Sequence, residues 1–185
     1  MRRTVPDEVA RLVELAEVET WTSVYEAAHP GFAAAMRLRV ERVSSARLLM
    51  MPALDNDFYN RVVGLGVGEP ATEEMIDEII ECYRQAGYKR VIFNVSPKAR
   101  PAAVHGWILE RGAFPVSNWI KLFRDNAMPP FVATELAVQR IGPEHAEAFG
   151  WLSTAVFGVP EELQPLTAAT VGRPGWHHYL AFEGD

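Results

Sequence analysis

At 185 residues the chain can bury one full domain, or one domain and part of a second. Apolar residues make up 49% and charged residues 23%, an ordinary globular composition, and no run approaches the roughly 18 apolar residues of a membrane span. The net charge of −6 argues against a broad electrostatic grip on nucleic acid or anionic membrane, and one cysteine, Cys82, cannot form an internal disulfide.

Arg2 and Arg3 could open an export signal, but Asp7, Glu8, Arg11 and Glu14 interrupt any apolar region behind them. A cytoplasmic location is the expectation. Val9, Leu12, Val13, Ala16, Trp21, Val24, Tyr25 and Ala28 recur at near-helical spacing and predict an amphipathic helix over 7–28. His29-Pro30-Gly31 should stop it. Alternation of Met36, Leu38 and Val40 with charged residues predicts a half-buried strand over 36–43. The apolar run 47–51, ending at Pro52, reads as the next strand, and Asp55-Asn56-Asp57 as a turn.

A strand over 58–63 then runs into the glycine loop Gly64-Leu65-Gly66-Val67-Gly68. A helix over 72–86 follows, with Met75, Ile76, Ile79, Ile80 and Tyr83 on one face and Gly87 as its stop. Val91, Ile92, Phe93 and Val95 make a short apolar strand of the kind usually central in a sheet. A strand–helix–strand unit of this size predicts a parallel pair within a mixed sheet. A helix over 100–111 and a strand over 117–123 complete this part. Pro129-Pro130 marks 126–134 as a linker. Beyond it the pattern restarts with a strand over 135–141, helices over 144–157 and 161–171, and a strand over 176–182. The expected class is α/β, with domains at 1–125 and 135–185.

The order of elements over 58–124, with the segment Arg61-Val62-Val63-Gly64-Leu65-Gly66, resembles the acetyl-CoA-binding half of the GNAT N-acetyltransferase family. That family carries a Gln/Arg-x-x-Gly-x-Gly/Ala signature between a strand and a helix, whose backbone N–H groups and helix N-terminus hold the CoA pyrophosphate. The resemblance implies a GNAT-type mixed sheet flanked by helices. It also implies acetyl-CoA as cosubstrate, a primary amine or peptide amine as acceptor, and Arg61, Gly64, Gly66 and Gly68 as candidate cofactor-binding residues. The whole chain is similar to the first half of bacterial tandem-GNAT proteins followed by an incomplete second unit over 135–185. In such proteins the working site usually sits in the second half.

Three departures bear on activity. Residues 67–71, with Pro70, lengthen the loop before the helix. Glu69, Glu73, Glu74 and Asp77 crowd the helix start, where they suit its dipole but repel a phosphate. At about 6 Å and an effective dielectric of about 20, each such pair of charges repels by about 3 kcal/mol. Third, Ile108 and Pro101 stand where the family carries a proton-donating tyrosine and an asparagine. No catalytic residue can be assigned. The chain therefore reads as the non-catalytic part of an N-acetyltransferase, or as a binding or scaffolding domain of the same fold.

Other readings of these residues are weaker. Gly64, Gly66 and Gly68 follow Gly-x-Gly-x-Gly, not the dinucleotide pattern, and a plain role in turning and close packing stands beside CoA binding. The five histidines show no metal-ligand spacing, so no metal is expected. Cys82 reads as a small buried hydrophobe. Trp107, Trp119, Trp151 and Trp176 read as core or domain-contact residues. The apolar residues of 135–185, too few to close a core of their own, are expected to dock on the first domain and to drive self-association.

Overall fold

The computed structural model describes residues 5–124 and 126–184. Arg2, Arg3, Asp125 and Asp185, which enter the expectations above, lie outside the described residues. Two compact units result: Met1–Tyr25 with Ala33–Leu122, and Glu26–Phe32 with Phe123–Asp185.

In the first unit α1 (Asp7–Glu26) ends close to where the proline–glycine signal sets its limit. Pro30 does not merely stop it. It occupies the first turn of a second helix, α2 (Pro30–Met36), where a missing N–H costs nothing. The strand expected from Met36 is therefore shorter: β1 covers Arg39–Val43. A tight turn with Ser44 at φ 53° returns it antiparallel as β2 (Ala46–Met50), with Val43 opposite Ala46. The strand expected over 58–63 is split. Asp57–Tyr59 forms a single 3-10 turn, capped by the Asn56 side chain accepting from the Phe58 N–H, and β3 is only Arg61–Val63.

Helix α3 (Glu73–Gln85) is capped by Thr72, whose hydroxyl accepts from the Met75 N–H at 3.3 Å. It leads to β4 (Ile92–Phe93) and α4 (Val104–Glu110). The sheet order is β1-β2-β3-β4, antiparallel except for the parallel β3–β4 pair. The fold is thus α/β with a mixed four-stranded sheet, and the parallel pair lies where the strand–helix–strand spacing predicts it. Ile76, Ile79 and Tyr83 of α3 pack with Leu48, Met50 and Val62 of the sheet and with Val104 and Ile108 of α4. The Tyr83 hydroxyl crosses to the sheet and donates to the carbonyls of Leu49 (2.9 Å) or Arg61 (2.8 Å), bridging β2 and β3.

Two expectations fail here. β4 is an edge strand, not a central one, and its apolar residues are only half-buried. Residues 117–123 form no strand, and Ile120 and Leu122 lie in solvent.

The second unit has a two-stranded antiparallel ladder of β5 (Ala137–Arg140) and β6 (Tyr179–Phe182). Between them lie α5 (Ala146–Phe157) and the short α6 (Gln164–Ala168), which takes only part of the span expected for the second helix. Gly150 lets these helices approach, since a Cβ there would lie 2.7 Å from the Gln164 carbonyl oxygen. Leu163, Leu166, Ile141 and Val171 are buried, whereas Val138, Trp151, Val156 and Phe157 are exposed. No helix among the described residues is long and apolar enough to cross a membrane.

Candidate functional site

The glycine loop leaves β3 with Gly64 and Gly66 in left-handed backbone, at φ 80° and 74°. Each of its three glycines lies against another segment. A Cβ at Gly64 would come within 2.6 Å of Val18 Cγ2 on α1, and one at Gly68 within 2.8 Å of Ser45 Cβ. At Gly66 the obstacle is backbone: the Arg100 carbonyl oxygen at 2.8 Å and its nitrogen at 2.9 Å. The Arg100 N–H donates to the Gly66 carbonyl at 2.9 Å, and the Ala71 N–H donates to the Arg100 carbonyl at 2.7 Å. Further donors of the loop are used within the chain, Val67 N–H to the Gly64 carbonyl and Glu69 N–H to the Ser45 hydroxyl. Gly64 to Val67 are buried. In this conformation the loop is held by the chain itself, with the strand-to-helix segment around Arg100 lying across it.

The acidic start of α3 is more compensated than its sequence suggests. Arg111, at the end of α4, donates to Asp77 at 2.5 Å and to Glu73 at 3.2 Å, and Ser44 donates to Glu69 at 2.7 Å. Asp77 is held below the usual carboxylate range by its hydrogen bond from Arg111. Glu74 is held low by a backbone N–H and by Thr72. Asp77 and Glu74 therefore remain negative near neutrality, and the Arg111 guanidinium is already engaged before any phosphate arrives.

Arg61 does not face the loop. Its residue is 1% exposed, and its guanidinium lies over the rings of Phe58 (3.8 Å), Trp21 (4.7 Å) and Trp119 (5.0 Å). Its Nε donates to the Phe58 carbonyl. Burial lowers its pKa, while the fields of Tyr25 and Glu17 act in the opposite direction. Among the described residues no carboxylate lies within ion-pair distance of it. The nearby Glu17 is bound, with Glu14, by Lys121 at 2.5 and 2.6 Å. Trp119 is therefore not a core residue. It is 52% exposed and closes one side of this aromatic box. No linear signal joins positions 21, 58, 61 and 119, so the box was not legible in the sequence.

Ile108 and Pro101, at the positions compared with the family's tyrosine and asparagine, bring no acid. Ile108 is buried in the core. Two buried tyrosine hydroxyls are engaged elsewhere, Tyr83 on β2 and β3 and Tyr25 on the Tyr59 carbonyl, whereas the buried Tyr88 hydroxyl has no hydrogen-bond partner among the described residues; burial raises the pKa of all three. Cys82 is half-buried, and burial followed by the Glu41 charge raises its thiol pKa, which disfavours a nucleophilic thiolate. No group of metal-binding side chains occurs among the described residues.

In the second unit His178 stacks on Trp176 and meets Phe149 edge-on at 4.5 Å. Trp151 is exposed rather than core. An open depression of about 370 Å³ is lined by Glu147, Glu161, Glu162, Gln164, Pro165 and Ala168. Its acidic lining is of the wrong sign for phosphate. Compared with protein-family models, with curated proteins and with solved structures, the chain matches none.

Proposed function

We propose that this chain is a GNAT-type unit of an N-acetyltransferase and that its first unit supplies fold rather than chemistry. In the reaction, a neutral primary amine attacks the acetyl-CoA thioester. The C–N bond forms, the C–S bond breaks, a base takes the amine proton, and CoA leaves as the thiol once protonated. What supports a non-catalytic role here is the closed glycine loop, with the Arg100 backbone 2.8–2.9 Å from where a Cβ of Gly66 would stand. Opening it for a pyrophosphate would require breaking the Arg100–Gly66 and Ala71–Arg100 hydrogen bonds, next to the acids of α3. Ile108 in the core supports the same reading from the proton-transfer side.

A second reading is a binding or scaffolding domain of GNAT fold, in the cytoplasm. The exposed apolar residues of β5 and α5 favour it, because they suit association through residues 135–185. Calorimetry with acetyl-CoA tests the main reading. The expected result is no binding tighter than about millimolar, which is about −4 kcal/mol. A micromolar constant, lost on Gly66→Val, would restore Gly64, Gly66 and Gly68 as a working cofactor site.

A further inference from the structure

Residues 116–122 carry the pattern of a strand but have no ladder. Trp119 and Lys121 point inward, the ring onto Arg61 and the ammonium between Glu14 and Glu17. Val116, Ile120 and Leu122 project into solvent, each at least 74% exposed. No backbone–backbone hydrogen bond involves residues 114–123 among the described residues. The same unit carries the complementary defect. Among the described residues β4 has one neighbour, β3, so its outer edge is unpaired there, and Val91, Ile92, Phe93, Asn94 and Val95 around it are uncharged and half-buried. An apolar edge of this kind recruits another strand.

We propose that these two surfaces pair between two copies of the chain, the 116–122 segment of each adding as a fifth strand to β4 of the other. A second copy fits for three reasons. Lys121 is the one charged residue between 113 and 123, and it is already engaged by Glu14 and Glu17, so the segment offers its partner an uncharged apolar face. The β4 edge is also uncharged. Within its own chain the segment is clasped through Trp119 and Lys121, and turning into the plane of its own sheet would release both. Two copies related by a two-fold axis satisfy both defects at once, and the exchange closes as a dimer because each copy's segment and each copy's β4 edge are both used. This pairing is independent of the acetyltransferase reading and uses a different surface from residues 135–185.

The test uses the full chain with Cys82→Ser. Asn94→Cys and Asn118→Cys, carried on separate molecules and mixed, are expected to join through a short bis-maleimide into a cross-linked dimer. The double variant Asn94→Cys/Asn118→Cys, at high dilution, is expected to give no intramolecular link. Ile120→Lys is expected to weaken the dimer measured by light scattering by roughly tenfold or more, with an unchanged far-ultraviolet spectrum, because this side chain is solvent-exposed in the protomer. Three outcomes overturn the proposal: a monomer at every concentration, an efficient intramolecular link in the dilute double variant, or a dimer indifferent to Ile120→Lys. The second would mean that the segment pairs with its own β4, and the third that association runs through another surface.

Discussion

The neighbourhood of β3 and the stretch from 114 to 140 are built from similar residues and differ in what those residues touch. Around β3, Val62, Leu48, Met50, Ile76 and Ile79 are almost wholly buried, the glycine loop is closed by Arg100, and even the Arg61 cation is enclosed by three rings. From 114 onward Phe114, Ile120, Leu122, Phe131 and Val138 lie in solvent. Hydrophobic burial is worth about 25 cal/mol per Å² only where a second surface is present to receive it. The first region has its second surface in α3 and α4. Among the described residues the exposed side chains of the other have no such cover, and that difference separates a region that carries the fold from one that can carry association.

The largest effect should come from deleting core volume. Ile76→Ala is expected to cost about 2–5 kcal/mol, since the side chain is 0% exposed and its neighbours close only partly around the void. Val138→Ala, at 61% exposure, is expected to cost less than about 0.5 kcal/mol. Urea unfolding of both variants at low protein concentration breaks the comparison if the two losses are similar. Equal losses would mean that the β5 face is buried in solution.

Gly66→Ala against Gly158→Ala sharpens it further. Both glycines have positive φ, but a Cβ at Gly66 would meet backbone at 2.8 Å, while nothing lies within 4 Å at Gly158, the left-handed cap of α5. Backbone cannot rotate aside as a side chain can. Gly66→Ala is expected to cost about 2–4 kcal/mol and Gly158→Ala about 1 kcal/mol. Similar small losses at both sites would show that the loop yields readily, and would reopen it as a place for a phosphate.

Much of the first region was legible because local signals and tertiary packing agree there. The spacing of Ile76, Ile79 and Tyr83 set the buried face of α3, Thr72 its start, and the strand–helix–strand length the parallel pair. The misses have physical causes. Pro30 served as a helix opener, since proline ends one helix and begins another with the same geometry. Residues 117–123 have strand alternation, but a strand is defined by a partner, and periodicity in one segment carries no information about the other. The β4 run read as central for the same reason. In the candidate site the glycines were visible and their surroundings were not. That Arg100 lies across Gly66, and that Arg61 turns toward Trp21 and Trp119, depends on contacts between residues 34, 40 and 58 positions apart.

The smallest expected effect lies in the second unit and depends on pH. Thr170 donates its hydroxyl proton to the Thr167 carbonyl at 2.7 Å, so its oxygen is left to accept from His178 Nε2–H at 3.0 Å. That fixes the tautomer and leaves the buried Nδ1 as a lone pair without a partner. Protonating Nδ1 would place a charged donor where no acceptor waits. Burial, with a smaller contribution from the charge of His177, accordingly lowers the His178 pKa below its ordinary value. An unfolded chain then takes up the proton first, near pH 6.5, and binds more protons than the folded one between that pH and the lower folded value. Stability of this unit should therefore be fully present above about pH 6.5 and decline as the pH falls through that window. The loss should be smaller than that of either Ile76→Ala or Gly66→Ala. His178→Gln, which retains an amide donor for Thr170 but does not titrate, should flatten the dependence. Proton NMR of the imidazole during titration decides the matter. A midpoint at or above 6.5 would mean that Nδ1 has found an acceptor, and that the helical end of the second unit is more open to water than its packing against Phe149 and Trp176 implies.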